Sequence, residues 1–80
     1  MNLIELTEYL VKSVSKNPDM VSVKQFNNAE EKVIQILVDK DDISSIIGKN
    51  GTIIGSIRNI VNLAAYNKNE ETVKICIDSF

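Results

Sequence analysis

From residue 43 to residue 65 the isoleucines keep helical spacing, and the pattern is interrupted once, by Gly48-Lys49-Asn50-Gly51. Ahead of the break, Ile43, Ile46 and Ile47 stand at i, i+3 and i+4. Behind it, Ile53, Ile54, Ile57, Ile60, Val61, Ala64 and Ala65 make one apolar face on residues 52–66, with Gly55, Asn59, Asn62 and Tyr66 opposite. The chain must leave helical conformation and re-enter it within four residues. That calls for glycine's freedom at positive φ, and for a missing Cβ where another part of the backbone comes close.

The other segments are read the same way. Residues 3–15 place Leu3, Ile4, Leu6, Leu10, Val11 and Val14 on one side of a helical wheel, with Glu5, Glu8, Lys12 and Lys16 on the other. Asn2 is positioned as N-cap, with Glu5 near capping-box spacing, and Asn17-Pro18-Asp19 stops the helix. Residues 20–26 and 32–38 are rich in β-branched side chains and joined by Asn27-Asn28-Ala29-Glu30, which predicts a β-hairpin. The second of these strands is apolar almost throughout, so it is expected to be more central and more fully covered. Asp39-Lys40-Asp41-Asp42 supplies N-cap candidates for the short helix starting at Ile43. Residues 72–78 alternate Val73, Ile75 and Ile77 with Lys74, Cys76 and Asp78, as a half-buried strand does. The order is α-β-β-α-α-β, an α+β chain read as a single domain over residues 1–80 without repeat or linker.

Absent residue types exclude several chemistries. The sequence has no histidine, so no His-based acid, base or metal site can form. Without paired carboxylates in a plausible pocket or an activated nucleophile, neither an enzyme nor a cofactor is expected. The lone Cys76 cannot make an internal disulfide and has no base to activate it, which fits a reducing compartment. No signal-peptide start and no apolar run of membrane-spanning length occur, so a cytoplasmic protein without membrane association is expected. Gly48-Lys49 does not belong to a Walker A loop, since Asn50 stands where Ser or Thr should follow the lysine.

A formal net charge of -2 argues at first against a nucleic-acid partner. Its distribution argues otherwise. Residues 43–69 contain no Asp or Glu, only Lys49, Arg58 and Lys68, so that segment carries +3 and the remainder -5. At the start of the second helix the N–H groups of Gly51, Thr52 and Ile53 are expected to face outward with the positive end of the helix dipole behind them, which suits a phosphate. Lys49 and Asn50 project from the turn, and Arg58 leans back toward it because helical side chains tilt toward their N-terminus. Of the isoleucines, Ile46, Ile47 and Ile54 beside the turn are assigned to a binding surface and the rest to packing. Gly55, inside a helix, costs about 1 kcal/mol relative to alanine, so either another backbone approaches it or it is merely tolerated.

The run Ile46-Ile47-Gly48-Lys49-Asn50-Gly51-Thr52-Ile53-Ile54 resembles the I-G-x-x-G-x-x-I signature of KH domains, and α-β-β-α-α-β is the order of their type II, bacterial form. The match covers the whole chain, and its length and the Ile57-Arg58 pair after the turn are similar to the small stand-alone KhpA family. The resemblance implies a type II KH fold, a three-stranded sheet with helices packed on one face. It implies a non-enzymatic RNA-binding module in which Gly48, Lys49, Asn50 and Gly51 clamp the backbone of about four single-stranded nucleotides. Thr52 would adjoin that clamp, Ile47 and Ile54 would shape the groove, and Arg58 would help neutralise phosphate. A homodimer, a heteromer with a larger KH-containing protein, and a part in cell shape and division are further implications. Positions after the second glycine, often basic in the family, hold Thr52, Gly55 and Ser56, which predicts weaker or more selective binding.

Two other classes compete. A dimerisation or adaptor domain with little RNA affinity is favoured by the weak overall charge and the missing cations. A DNA-reading helix-turn-helix also joins two helices by a glycine-containing turn, but here the second helix would read bases with Arg58, Ser56, Asn59 and Asn62 and no second cation.

Overall fold

The structure, a computed structural model, describes residues 2–27 and 31–80. The first helix, α1 (Leu3–Ser13), starts where Asn2 in extended conformation accepts the Glu5 N–H at 2.8 Å, satisfying one orphan donor of the first turn. It ends short of Ser15. The Val14 N–H and the Ser15 hydroxyl both bond back to the Val11 carbonyl, which closes the last turn and leaves Val14 exposed. A 3₁₀ turn at Pro18–Met20 follows, so Met20 lies outside the strand to which its pattern assigned it.

Strand β1 (Ser22–Asn27) pairs antiparallel with β2 (Lys32–Val38), from Ser22 opposite Leu37 to Asn27 opposite Lys32. Residues 28–30 of the expected hairpin turn lie outside the described residues. Strand β3 (Val73–Ser79) pairs parallel with β2, giving the order β1-β2-β3 with β2 central, as its apolar run predicts. Between β2 and β3 come a 3₁₀ turn at Lys40–Asp42, the short helix α2 (Ile43–Ile47), a second 3₁₀ turn at Lys49–Gly51, and α3 (Thr52–Asn67).

The register sets Val23, Ile34, Ile36, Val38, Val73, Ile75 and Ile77 on one face of the sheet. That face meets Leu3 and Val11 of α1, Ile46 of α2, and Ile54, Ile57, Val61 and Ala65 of α3 in one aliphatic core. On the other face Val33, Gln35 and Leu37 are only half-buried, so β2 is the most covered strand without being covered on both sides. Every aromatic side chain lies outside the core: Tyr9, Phe26, Tyr66 and Phe80 are all exposed.

Asp42 departs from its expected role as a helix cap. Its fully buried carboxylate accepts the backbone N–H groups of Lys16 (3.0 Å) and Asn17 (2.9 Å), in the segment leaving α1. Asp42 keeps the N-cap position of α2 without a capping bond, while Asp39, another of the candidates, caps the preceding 3₁₀ turn by accepting the Asp41 N–H at 3.2 Å. A buried carboxylate persists only where its oxygens are satisfied, and here the bonds also tie the start of α2 to the end of α1. Asp42→Ala strands two donors and is expected to lower stability by about 2–3 kcal/mol. In urea denaturation the midpoint should fall at unchanged slope; a loss below about 0.5 kcal/mol, ordinary for a surface position, would deny the latch.

Candidate nucleic-acid interface

The turn between α2 and α3 is built on a backbone conformation that only glycine takes easily. The Gly48 N–H closes α2 on the Ser44 carbonyl at 2.9 Å, and Gly48 then adopts φ 77 and ψ 174. A Cβ on Gly48 would lie 2.7 Å from Ile53 Cγ1, so the Ile53 side chain fills the space a larger residue would need. Asn50 (φ 57) and Gly51 (φ 74) continue in the left-handed region, which asparagine and glycine tolerate best.

The turn is internally bonded. Gly51 N–H donates to the Gly48 carbonyl at 3.2 Å, while Thr52 N–H and Thr52 Oγ1 both donate to the Lys49 carbonyl, the latter at 2.9 Å. Two of the three N–H groups expected to face an anion are therefore used inside the 3₁₀ turn. What the loop presents outward is the side chains of Lys49 and Asn50, both exposed.

Thr52 and Arg58 are also exposed, and neither Lys49 nor Arg58 forms an ion pair among the described residues. Ile47, Gly48 and Gly51 are half-buried. Ile46 is fully buried and Ile54 nearly so at 7% exposure, so Ile46 supports the site from the core rather than facing a ligand.

Three positions of α3 are decided by the tertiary structure. Asn62 is engaged with β3: its Oδ1 accepts the Val73 N–H at 2.7 Å and its Nδ2 donates to the Val73 carbonyl at 3.2 Å. No local pattern reveals that pairing, because its partners are eleven residues apart. Ile60, placed on the apolar face by its spacing, is 44% exposed, and Leu63 and Tyr66 on the same helix are exposed as well. Gly55 has open space beside it, with no heavy atom within 4 Å of an added Cβ beyond its own turns of helix. No backbone approaches it.

A shallow hollow lies elsewhere, where β3 begins, lined by Glu31, Glu71, Thr72, Val73 and Lys74. The helix α3, 16 residues and so about 24 Å long, separates it from the glycine turn. Its two carboxylates have the wrong sign for phosphate, and the turn is the better candidate. No helix among the described residues is long and apolar enough to cross a membrane.

Compared with known proteins, residues 4–77 match the family model described as KhpA/KhpB, KH domain. The chain belongs to the KhpA/KhpB KH-domain family. It is 31% identical over 71 residues to the RNA-binding protein KhpA of Thermotoga maritima, covering 89% of this chain and 95% of the relative. The KhpA of Clostridium perfringens is 33% identical over 69 residues, 86% of this chain and 92% of that one. Among solved structures, Aquifex aeolicus Era superposes with a TM-score of 0.71 at 18% identity, over 98% of this chain and 30% of Era. Era in complex with MgGDPNP and a segment of 16S ribosomal RNA gives 0.70 at 19% identity, again over 30% of that chain. These likenesses to Era concern the fold, which is the type II KH arrangement of three helices over a three-stranded sheet.

Within this KhpA/KhpB domain the two turn glycines are not equivalent. Gly48→Ala meets both backbone strain and the Ile53 side chain and is expected to cost about 3 kcal/mol or more. Gly51→Ala meets strain alone, with open space around the added methyl group, and is expected to cost about 1–2 kcal/mol. Thermal or urea unfolding of the two variants checks the order; equal losses would contradict it.

Proposed function

We propose that this chain is a non-enzymatic RNA-binding module in which the Gly48-Lys49-Asn50-Gly51 turn grips the backbone of about four single-stranded nucleotides. The observation that carries the reading is the turn itself. Its strained glycine geometry holds Lys49 and Asn50 outward, and Arg58 lies on the following helix within a segment free of acidic residues. The names of the KhpA relatives support the same reading. In it, Thr52 adjoins the clamp, Ile47 and Ile54 line the floor beside it, Ile46 packs beneath, and Arg58 neutralises a phosphate. The setting proposed with it is cytoplasmic, in bacterial RNA-based control of cell shape and division.

Association is the second part of the proposal. Exposed Ile60, Leu63 and Tyr66 on α3 favour a homodimer, or a heteromer with a larger KH-containing protein. The same exposure supports the alternative that the domain is chiefly an adaptor with little RNA affinity. Light scattering with and without single-stranded RNA separates the two, since the adaptor reading requires a stable dimer and no detectable RNA binding at moderate salt.

Replacing Lys49 and Asn50 together by aspartate is expected to leave the circular dichroism spectrum and Tm near those of the parent while abolishing RNA binding in fluorescence anisotropy. Retained affinity would remove the turn from the site. Lys49→Ala alone should reduce the slope of log affinity against log salt by about 0.7, the value for one phosphate contact on a single strand.

A further inference from the structure

Gly55 is a glycine for which the fold gives no reason. It lies in the second turn of α3, where glycine weakens a helix relative to alanine. Positive φ among the glycines is confined to Gly48 and Gly51, so Gly55 needs no special backbone conformation. An added Cβ would meet no heavy atom within 4 Å, so packing does not require glycine either.

Its surroundings make the open space meaningful. Gly55, Arg58 and Asn62 stand at i, i+3 and i+7 and therefore share a face of α3. Asn62 is bonded to the backbone of Val73, which orients this face toward the edge strand β3. Arg58 is exposed, and side chains on a helix lean toward its N-terminus, which from Arg58 is the side of Gly55 and the glycine turn. Between Lys49 of the turn and Arg58, position 55 contributes no side chain, and buried Ile54 stands beside it.

We propose that Gly55 is a specificity-determining residue of the RNA groove, an inference that rests on the RNA-binding reading. Phosphates on either side are held by Lys49 and Arg58, and the base between them lies flat against the helix where the side chain is missing. The missing methyl group deepens that subsite enough for a two-ring base, so the favoured ligand is single-stranded RNA with a purine next to the clamped phosphate.

Gly55→Ala separates this role from a structural one, because stability and binding should move in opposite directions. Fluorescein-labelled A10 and U10 RNA would be titrated by anisotropy with the parent protein, with Gly55→Ala, and with the Lys49→Asp/Asn50→Asp variant. Thermal unfolding of each would be recorded alongside. We expect Tm of Gly55→Ala to rise by about 4 °C, as replacing an unneeded helical glycine should in a chain this small. Affinity for A10 should fall by about tenfold, the low end of what one methylene does in a shaped pocket, with U10 affected far less. A lowered Tm, unchanged A10 affinity, or equal losses on A10 and U10 would overturn the proposal for Gly55 while leaving the groove in place. If the parent binds neither RNA, or the aspartate variant binds as well as the parent, the RNA reading fails and the inference falls with it.

Discussion

Ile53 occupies the space in which any residue other than glycine at position 48 would carry its Cβ. This close approach lets α2 end and α3 begin within four residues, with Gly48 in a conformation that larger residues avoid. The apolar faces of both helices then reach the same sheet: Ile46 from α2, and Ile54, Ile57, Val61 and Ala65 from α3, are all in one core. The same geometry leaves the middle of the turn nowhere to point but outward, which is why Lys49 and Asn50 are exposed. Fold and candidate site thus share one constraint.

Two polar side chains hold the helices in register with what lies around them. Asp42 fastens the start of α2 to the chain leaving α1, and Asn62 fastens α3 to the first residue of β3. Both make their bonds to backbone groups, so neither depends on the identity of a partner side chain. The hydrophobic layer supplies the driving force but little direction, being aliphatic throughout. These bonds are directional, and they stand at the two ends of the helical layer. With every aromatic on the surface, the core is built without a ring.

Electrostatics acts locally in so small a domain. A net charge of -2 describes the molecule seen from far away, whereas residues 43–69, which hold the turn, carry Lys49, Arg58 and Lys68 and no carboxylate. Because the N–H groups of Gly51 and Thr52 are used within the turn, attraction for an anion rests on those side chains more than on the helix dipole. Binding of that kind is sensitive to salt.

Periodicity and turn chemistry by themselves determined the element order, the central place of β2, the N-cap at Asn2 and the position of the glycine turn. All of these depend on residues within a few positions of each other, and local sterics decides them. The spacing of the isoleucines also separates most core positions correctly, because helical and strand periods map directly onto buried faces. The tertiary structure decided the rest. It turned Asp42 from a cap into a latch, engaged Asn62 with β3, moved Ile46 into the core and left Ile60 exposed. It also showed open space at Gly55, where the sequence allowed either a neighbouring backbone or none. Each of those outcomes depends on which distant segment lies alongside, and that is set by packing across the whole chain rather than by the order of neighbouring residues.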